Sequence, residues 1–425
     1  MRFHLMIAFF IAFASLSFGQ TPSASPLPTQ PASPEKSKTK TFGASLKKYK
    51  NQEQQDFQDN QKRDESDDEA IRVKTDLVVN DVLVADQNGK IINNLTKDDF
   101  VVTENGASQT VEMFSPGEDN TVPSSIVLII DYSSSQFPYL KNSIQAAKRL
   151  VDKLNPNDKM AIVTDDVKIL IDFTDDKSRL KKTLDSLEMK ASQNIQGKSN
   201  QFSALLAVLN EMFTVEDRRR IVIFQTDGDE TLWLKPDKDI SYQISKEIIE
   251  KAGIKIKSIK NFGFSDIKEA IERSRATIYS IIPGIQFLGF SEKERLERAR
   301  ISFDLLYRSM VKMDELRGMN ESNRTNQQRS NVDSKLLTVE AEKQLADQMA
   351  MFKVAELSGG KAGFIQRPED AETIYSSIFK LISTRYAIGY YSTNQERDGK
   401  SREVKIEVRG HPEYIVTMRK TYLPQ

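Results

Sequence analysis

The sequence predicts an α/β protein built on a doubly wound, mostly parallel sheet, with a small β-module and a helical insertion. From about residue 123 to residue 384, apolar runs rich in β-branched residues alternate with amphipathic helical patterns. This alternation is typical of a parallel sheet with helices on both faces. Strand patterns without helices flank the region on both sides. Two of the central strands end directly in an aspartate, and ligand sites of such sheets lie at the carboxyl ends of their strands.

Composition excludes several classes of function. Lysine and arginine together number 61, as do aspartate and glutamate, so the formal net charge is zero. The chain therefore has no electrostatic basis for binding nucleic acid or an anionic membrane. It has no cysteine, which excludes disulfides, thiolate metal sites and cysteine nucleophiles. Because His411 is the only histidine after the leader, a Ser-His-Asp catalytic site has little support.

Residues 1–19 have the pattern of a secretory signal peptide. A positive start, MRFH, precedes the apolar run LMIAFFIAFASLSF, which is short for a membrane span. Ser17 and Gly19 are small residues at the −3 and −1 positions of a cleavage site. No later segment is apolar enough to span a bilayer, so the mature chain is expected to be secreted or periplasmic, in solution or at the cell surface. An uncleaved N-terminal anchor is the alternative.

Strand-rich segments are predicted on both sides of the α/β region. Residues 20–69 are predicted to be a disordered linker, because they are rich in proline, serine and charge. Residues 70–118 are predicted to be a β segment, in which Asn105-Gly106 favours a hairpin turn. Residues 385–423 contain three further strand-like runs, in RYAIGYYS, REVKIEVRG and EYIVTMRKTY. Neither set is a sufficient core alone, so the two are expected to pack together as one β-module.

Residues 123–384 are predicted to form the α/β domain. A helical insertion is predicted at about residues 288–345, with a mobile polar middle, NESNRTNQQRSN, and the last helix at about residues 370–384. The other elements, in order, are the strand IVLIID, the helix YLKNSIQAAKRLVDKL, the strands KMAIVTDD and VKILIDF, the helices KSRLKKTLDSLEM and QFSALLAVLNEMF, and the strands RRIVIFQTDGDE and ATIYSIIPG.

Polar side chains follow two of the central strands. Asp131 ends the first strand and Asp227 ends a later one, so both carboxylates are expected at the same edge of the sheet. Ser133 and Ser135 follow in the loop after Asp131, and their hydroxyls can turn toward it. Carboxylates and hydroxyls suit a hard cation, Mg²⁺ or Mn²⁺, with Ca²⁺ as the alternative. The sequence therefore predicts a divalent-cation site with positions left for water or a ligand.

This arrangement resembles a von Willebrand factor type A domain with a metal-ion-dependent adhesion site. The family pattern is a strand ending in Asp-x-Ser-x-Ser, a threonine on a later loop, and an Asp-Gly after the next long strand. Here these are DYSSS, GKSNQFSALLAVL and TDGD. The resemblance places Ser199 at the threonine position, where serine lacks the β-branch that stiffens χ1. It implies that Ser133, Ser135 and Ser199 bind the cation directly, and Asp131 and Asp227 directly or through water.

The resemblance also implies a function. An acidic side chain of a protein partner would fill the open coordination position, so the chain is expected to mediate cation-dependent binding or adhesion and not to be an enzyme. Binding would couple to a shift of the last helix, at about residues 370–384. The flanking strands resemble a bacterial group called the VWFA-related domain proteins, and the combined resemblance covers most of residues 70–423 except the helical insertion.

Other interpretations of the same residues stay open. A structural scaffold with a degenerate metal site is favoured by serine at position 199. A metal-dependent hydrolase could use Asp131, although no phosphate-binding loop supports it: GKS at 197–199 lacks the earlier glycine, which here is Ser192. The paired acids Asp165 and Asp166 are interpreted as a solvated turn.

Overall fold

The computed structural model describes residues 41–49, 77–117, 122–193, 195–213, 218–230, 233–235, 259–316 and 334–424. The predicted signal peptide, most of the predicted linker and the polar run NESNRTNQQRSN lie outside these residues. Within them, no helix is both long and apolar enough to cross a membrane.

The strands and helices are numbered in chain order. The strands are β1 (Leu77–Ala85), β2 (Phe100–Glu104), β3 (Ala107–Gln109), β4 (Met113–Ser115), β5 (Ser124–Ile130), β6 (Lys159–Thr164), β7 (Lys168–Thr174), β8 (Arg219–Gln225), β9 (Trp233–Lys235), β10 (Ile259–Gly263), β11 (Thr277–Pro283), β12 (Ala362–Ile365), β13 (Tyr386–Tyr391), β14 (Arg402–Val408), β15 (Ile415–Thr417) and β16 (Thr421–Tyr422). The helices are α1 (Phe137–Asp152), α2 (Lys177–Ser192), α3 (Gln201–Glu211), α4 (Phe264–Ser274), α5 (Glu292–Leu316), α6 (Ser334–Leu357) and α7 (Ala371–Ser383).

A six-stranded sheet in the order β12-β11-β8-β5-β6-β7 confirms the predicted α/β class. Its strands pair in parallel except at one edge, where β7 pairs antiparallel with β6. The side chains of β5 alternate between two cores, as side chains of a strand must. Ile126, Leu128 and Ile130 pack with α1, α2 and α7, whereas Val127 and Ile129 pack with α3, α4 and α6. Helices therefore cover both faces, and β5 is buried from Ile126 to Ile130.

Two four-stranded antiparallel sheets, β15-β1-β13-β4 and β16-β14-β2-β3, form the predicted β-module. Both combine strands from before and after the α/β domain. Leu77 of β1 pairs with Tyr391 of β13, and Phe100 of β2 pairs with Val408 of β14. The two sheets share one apolar core. Strands from before and after the α/β domain thus make one unit, as the sequence predicted.

The helical insertion consists of α5 and the first half of α6. The two helices pack through a small cluster that contains Phe287, Ala299 and Leu337. Helix α6 continues past residue 345, the predicted end of the insertion, as far as Leu357. Its second half packs into the core of the α/β domain through Met351 and Val354. One helix therefore connects the insertion directly to the central sheet.

Residues 41–49 correct the prediction that residues 20–69 are disordered. The backbone N–H groups of Gly43 and Ser45 donate to the carboxylate of Glu211, at 2.9 and 2.8 Å. Tyr49 is buried, and its ring lies 5.6 Å from that of Phe262. The physical reason is a short apolar pattern at helical spacing inside a polar segment. The three residues that pack on the core are Phe42, Leu46 and Tyr49.

The β-module meets the α/β domain near the amino ends of the parallel strands. Arg219, the first residue of β8, pairs with Asp81 of β1 at 2.6 Å, and both side chains are almost fully buried. Arg219 also donates to the carbonyl of Ile382, at 2.8 Å. Arg385 donates to the carbonyl of Asp81, at 3.1 Å. The junction is therefore held by buried guanidinium groups.

Candidate metal centre

Asp131 lies directly after β5 at the carboxyl end of the sheet and has no exposed surface. Its Oδ1 accepts the backbone N–H of Ser133, at 2.9 Å. Its Oδ2 accepts the hydroxyl of Thr226, at 2.8 Å, and the amide Nε2 of Gln201, at 2.9 Å. The DYSSS loop thus turns back on its own aspartate, and the loop after β8 and helix α3 both reach the same carboxylate.

Asp227 lies two residues after β8 and is also buried. Its Oδ1 accepts the backbone N–H of Asp229, at 3.0 Å, and its Oδ2 accepts Nε2 of Gln136, at 2.6 Å. The hydroxyl oxygens of Ser133 and Ser135 lie 3.2 Å apart, and Ser135 forms a hydrogen bond to Asp227. Two carboxylates and two hydroxyls therefore form one connected cluster at this edge.

Burial strongly affects both carboxyl groups. Desolvation, followed by the charge of Asp165, raises the pKa of Asp131 to about 7. Desolvation, followed by the charge of Asp131, raises the pKa of Asp227 to about 7. Within the described residues, no lysine or arginine forms an ion pair with either group. Neither carboxyl group is therefore paired with a basic side chain of these residues that would stabilise its charged form.

The donor set fits a hard divalent cation. It consists of carboxylate and hydroxyl oxygens, which Mg²⁺, Mn²⁺ and Ca²⁺ prefer. The Oε1 atoms of Gln136 and Gln201 are buried and have no hydrogen-bond partner. Buried acceptors without partners are uncommon in folded proteins. Unneutralised carboxylates beside orphaned carboxamide oxygens are an environment that a cation would satisfy.

Four of the five predicted site residues come together, and Ser199 lies differently. The structure brings Asp131, Ser133, Ser135 and Asp227 into the cluster described above. Ser199 is half-buried on the loop before α3, with φ of 49°. Its backbone N–H donates to Oδ2 of Asp165, at 2.8 Å, and its hydroxyl forms no hydrogen bond to the other four.

Asp165 corrects the interpretation of Asp165-Asp166 as a solvated turn, because its side chain is fully buried. It ties two loops of the site together: Oδ1 accepts the N–H of Tyr132, at 3.3 Å, and Oδ2 accepts that of Ser199. A Cβ at Gly197 would lie 2.1 Å from the carboxylate of Asp165, so only glycine fits there. Sequence reasoning missed this role because Asp165 contacts residues far away in the chain.

Gln136 and Gln201 were also missed, although the sequence contains a signal for the second. Both are buried, with 1% and 0% exposure, and each donates to one of the two carboxylates. Gln201 begins the strongly apolar run QFSALLAVL, and every residue of α3 from Gln201 to Leu209 is buried. A glutamine in such a helix needs a buried polar partner.

A cleft of about 70 Å³ opens beside the cluster, next to Ser135 and Asp227. Tyr139 of α1 lines it on the side of the α/β domain. The insertion supplies another wall through Phe303 of α5 and Glu340 of α6. The insertion therefore borders the approach to the site.

Helix α6 also contacts the loop that carries Asp227. Lys343 contacts Oδ1 of Asp229, at 2.5 Å, and Oδ2 of Asp347, at 3.1 Å. A Cβ at Gly228 would lie 3.0 Å from the carbonyl of Asp347. The loop after β8 is thus packed directly against the insertion helix.

Comparison with known proteins gives a family match for part of the chain. Residues 126–230 match the family model of the von Willebrand factor type A domain. None of the curated proteins matches the chain.

Solved structures match the chain at low identity and with low TM-scores. Proximal thread matrix protein 1 from the mussel byssus is 14% identical with a TM-score of 0.32, over 62% of this chain and 48% of its own, so this chain spans about half its length. The vWF domain of the pilus tip protein Mfa5 from Porphyromonas gingivalis is 15% identical with a TM-score of 0.35, over 62% and 95%. Manganese-loaded TRAP protein from Plasmodium vivax is 10% identical with a TM-score of 0.27, over 77% and 100%.

Proposed function

The chain contains a von Willebrand factor type A domain, and we propose that this domain binds a protein partner through a divalent cation. The observation that carries the proposal is the pair of buried carboxylates, Asp131 and Asp227, which no basic side chain of the described structure neutralises. The ion is Mg²⁺ or Mn²⁺, with Ca²⁺ as the alternative. The protein acts by binding and not as an enzyme.

The chain's own residues hold and orient the cation. Asp131 and Asp227 would supply the charge, and Ser133 and Ser135 would supply neutral oxygens. The family pattern also assigns Ser199, but its hydroxyl forms no hydrogen bond to these four residues. The bound cation supplies an electrophilic centre that attracts an acidic side chain of the partner. Before the cation binds, the hydrogen bonds from Gln136 and Gln201 keep the carboxylates in place. This preformed arrangement reduces the ordering that cation binding requires.

The cleft beside the site is the natural approach for the partner. Ser135 and Asp227 line it, and so does the aromatic ring of Phe303, which is 42% exposed. An acidic side chain next to an apolar one would fit this lining. The insertion then contributes to the choice of partner.

The proposal extends to the whole chain. We infer secretion or periplasmic location from the leader, residues 1–19, with a linker to residue 69 that is interrupted by the docked segment 41–49. The β segments 70–118 and 385–423 flank the α/β domain, 123–384, which carries the insertion at about 288–345. The β-module supports the domain and places its cation edge away from the junction.

Calorimetric titration of Mg²⁺ and Mn²⁺ into the mature chain tests the proposal, with wild type beside Asp131→Ala. Saturable binding that is lost in Asp131→Ala is the expected result. Asp86→Ala is a matched control, since Asp86 lies in an exposed turn of the β-module and its carboxylate only binds local backbone groups. Absence of saturable binding in the wild type would overturn the proposal.

A structural scaffold without a working cation is the second candidate. It is favoured by the amide N–H groups of Gln136 and Gln201, which already satisfy the two carboxylates in part. Under this alternative, unfolding in EDTA and in Mn²⁺ would give the same midpoint. Under the first proposal, Mn²⁺ raises the midpoint, because a ligand that binds only the native state stabilises it.

A further inference from the structure

We propose that Gln201 binds the cation through its carboxamide oxygen, in the place that the family pattern gives to Ser199. The inference rests on the proposed cation site and adds a ligand to it.

The position of Gln201 favours this role. It is the first residue of α3 and is fully buried. Its Nε2 donates to Oδ2 of Asp131, at 2.9 Å, and to the carbonyl of Asp229, at 2.7 Å. The carboxamide therefore lies between the loops that follow β5 and β8, which carry the two aspartates of the site.

Ser199 is held away from this role by its backbone. Its N–H is fixed to Asp165, its φ is 49°, and the neighbouring Gly197 packs on the same carboxylate. The segment from 197 to 201 thus approaches the site, but the side chain that reaches Asp131 is that of Gln201. The cation ligand is shifted two residues along the chain and onto the helix.

The orphaned Oε1 gives the second, independent observation. Oε1 of Gln201 is buried without a hydrogen-bond partner. Rotation of the terminal amide is easy, because such torsions are broad. If a cation took over the charge of Asp131, the N–H bond to that carboxylate would no longer be required. A turn of the amide, which also gives up the bond to the carbonyl of Asp229, would then present Oε1 to the cation. Amide oxygens are ordinary ligands of hard divalent cations.

The test compares three variants of the full mature chain by Mn²⁺ calorimetry and by thermal unfolding in EDTA and in Mn²⁺. We expect Gln201→Ala to weaken Mn²⁺ binding about tenfold or more, the size of effect seen when groups around a metal are removed. Ser199→Ala, the matched control two residues away, should change the Kd by less than about threefold. Gln201→Glu should unfold at a lower temperature in EDTA, because a second carboxylate then faces Asp131.

Gln201→Glu separates a ligand from a merely structural residue. As a ligand, the new carboxylate binds Mn²⁺, so the rise of the unfolding midpoint on adding Mn²⁺ exceeds that of the wild type. A Gln201→Glu protein that Mn²⁺ does not restore would overturn the inference. So would loss of binding in Ser199→Ala with unchanged binding in Gln201→Ala, and the proposed function would then stand. Absence of Mn²⁺ binding in the wild type would remove the proposed function itself.

Discussion

Buried acidic side chains have different partners at the two ends of the parallel strands. At the amino end, Arg219 and Asp81 form an ion pair whose side chains are 0% and 3% exposed. At the carboxyl end, Asp131 and Asp227 are equally buried but have amide and hydroxyl partners instead of a basic one. A burial penalty for charge acts at both ends. The chain thus gives Asp81 a basic partner where the β-module docks and, within its described part, leaves Asp131 and Asp227 without one where the cleft begins.

The amino end of the sheet holds the β-module in place, whereas the carboxyl end is available for binding. Arg419 is also buried at the amino end, but its partners are neutral: it donates to the carbonyl of Arg275, at 2.5 Å, and to Oδ1 of Asn80, at 3.1 Å. Each of these bonds joins the β-module to the α/β domain or fixes the strands at the junction. At the carboxyl end, the positive charge beside Asp131 and Asp227 is expected to come from a cation in solution.

The largest effect is predicted at the amino end. Arg219→Met leaves Asp81 buried without its ion-pair partner and removes the bond to the carbonyl of Ile382. We expect the free energy of unfolding to fall by about 3 to 5 kcal/mol, as for other broken buried pairs. Urea unfolding of the mature chain measures it.

The double variant Arg219→Met with Asp81→Asn is the control for this prediction. Removing both charges should recover much of the loss, because replacing a whole buried pair is far less costly than breaking it. Equal loss in the single and double variants would show that charge is not the cause.

A smaller effect is predicted for Lys343, whose ammonium group lies near the carboxyl end of the sheet. Lys343→Met removes the ammonium group that contacts Asp229 and Asp347. Burial already raises the pKa of Asp347 to about 8. We expect the free energy of unfolding to fall by about 1 to 3 kcal/mol, since buried acceptors lose their donor. Cation binding should become tighter, because a positive charge near Asp227 is gone; urea unfolding and calorimetry measure the two effects.

The buried carboxyl groups at the carboxyl end are expected to make the stability of the protein depend on pH. Folding raises the pKa of Asp131 and of Asp227 to about 7. Between pH 4 and pH 7 the native state thus binds more protons than the unfolded state, so stability falls as pH rises. We expect a fall of about 1 kcal/mol or more in EDTA, where one pKa unit corresponds to about 1.4 kcal/mol.

Urea unfolding at a series of pH values in EDTA measures this dependence, with Asp131→Ala as the control. In this variant, the free energy of unfolding should fall less between pH 4 and pH 7 than it does in the wild type. Stability that rises between pH 5 and pH 7 in the wild type would contradict the prediction.

The smallest effect is predicted for an exposed ion pair on α6. Lys353 contacts Glu356 at 2.9 Å, with side chains 44% and 59% exposed. Lys353→Met should change the free energy of unfolding by about 0.5 kcal/mol or less, since exposed pairs contribute little. It also serves as the matched control for Lys343→Met, ten residues away on the same helix. If Lys353→Met lowered the free energy of unfolding as much as Lys343→Met, the loss would come from replacing a lysine of α6 and not from the contacts of Lys343.

Much of the fold and four of the site residues follow from local patterns. Asp131 and Asp227 are predictable because each ends an apolar strand, and parallel strands bring their carboxyl ends to one edge. Ser133 and Ser135 are within reach of Asp131 because they are close to it in the chain.

What the sequence did not predict depends on contacts between distant segments. The position of Ser199 depends on Asp165, 34 residues earlier, and on the close approach of Gly197. The docking of residues 41–49 depends on Glu211, more than 160 residues later. Gln201 was also missed, although a glutamine at the start of the apolar run QFSALLAVL indicates a buried polar partner.

The pairing of β1 with β13 sets an order for the folding of the chain. Asp81 pairs with Ala387 in register, so their contact closes a loop of about 300 residues that contains the whole α/β domain. Contacts this distant in sequence form slowly. As the chain is made from its N-terminus, β1 has to wait as an unpaired edge until residues 386–391 emerge, and unpaired edges are open to pairing with other chains. Export before folding, or a chaperone that covers β1, would protect the chain during this interval.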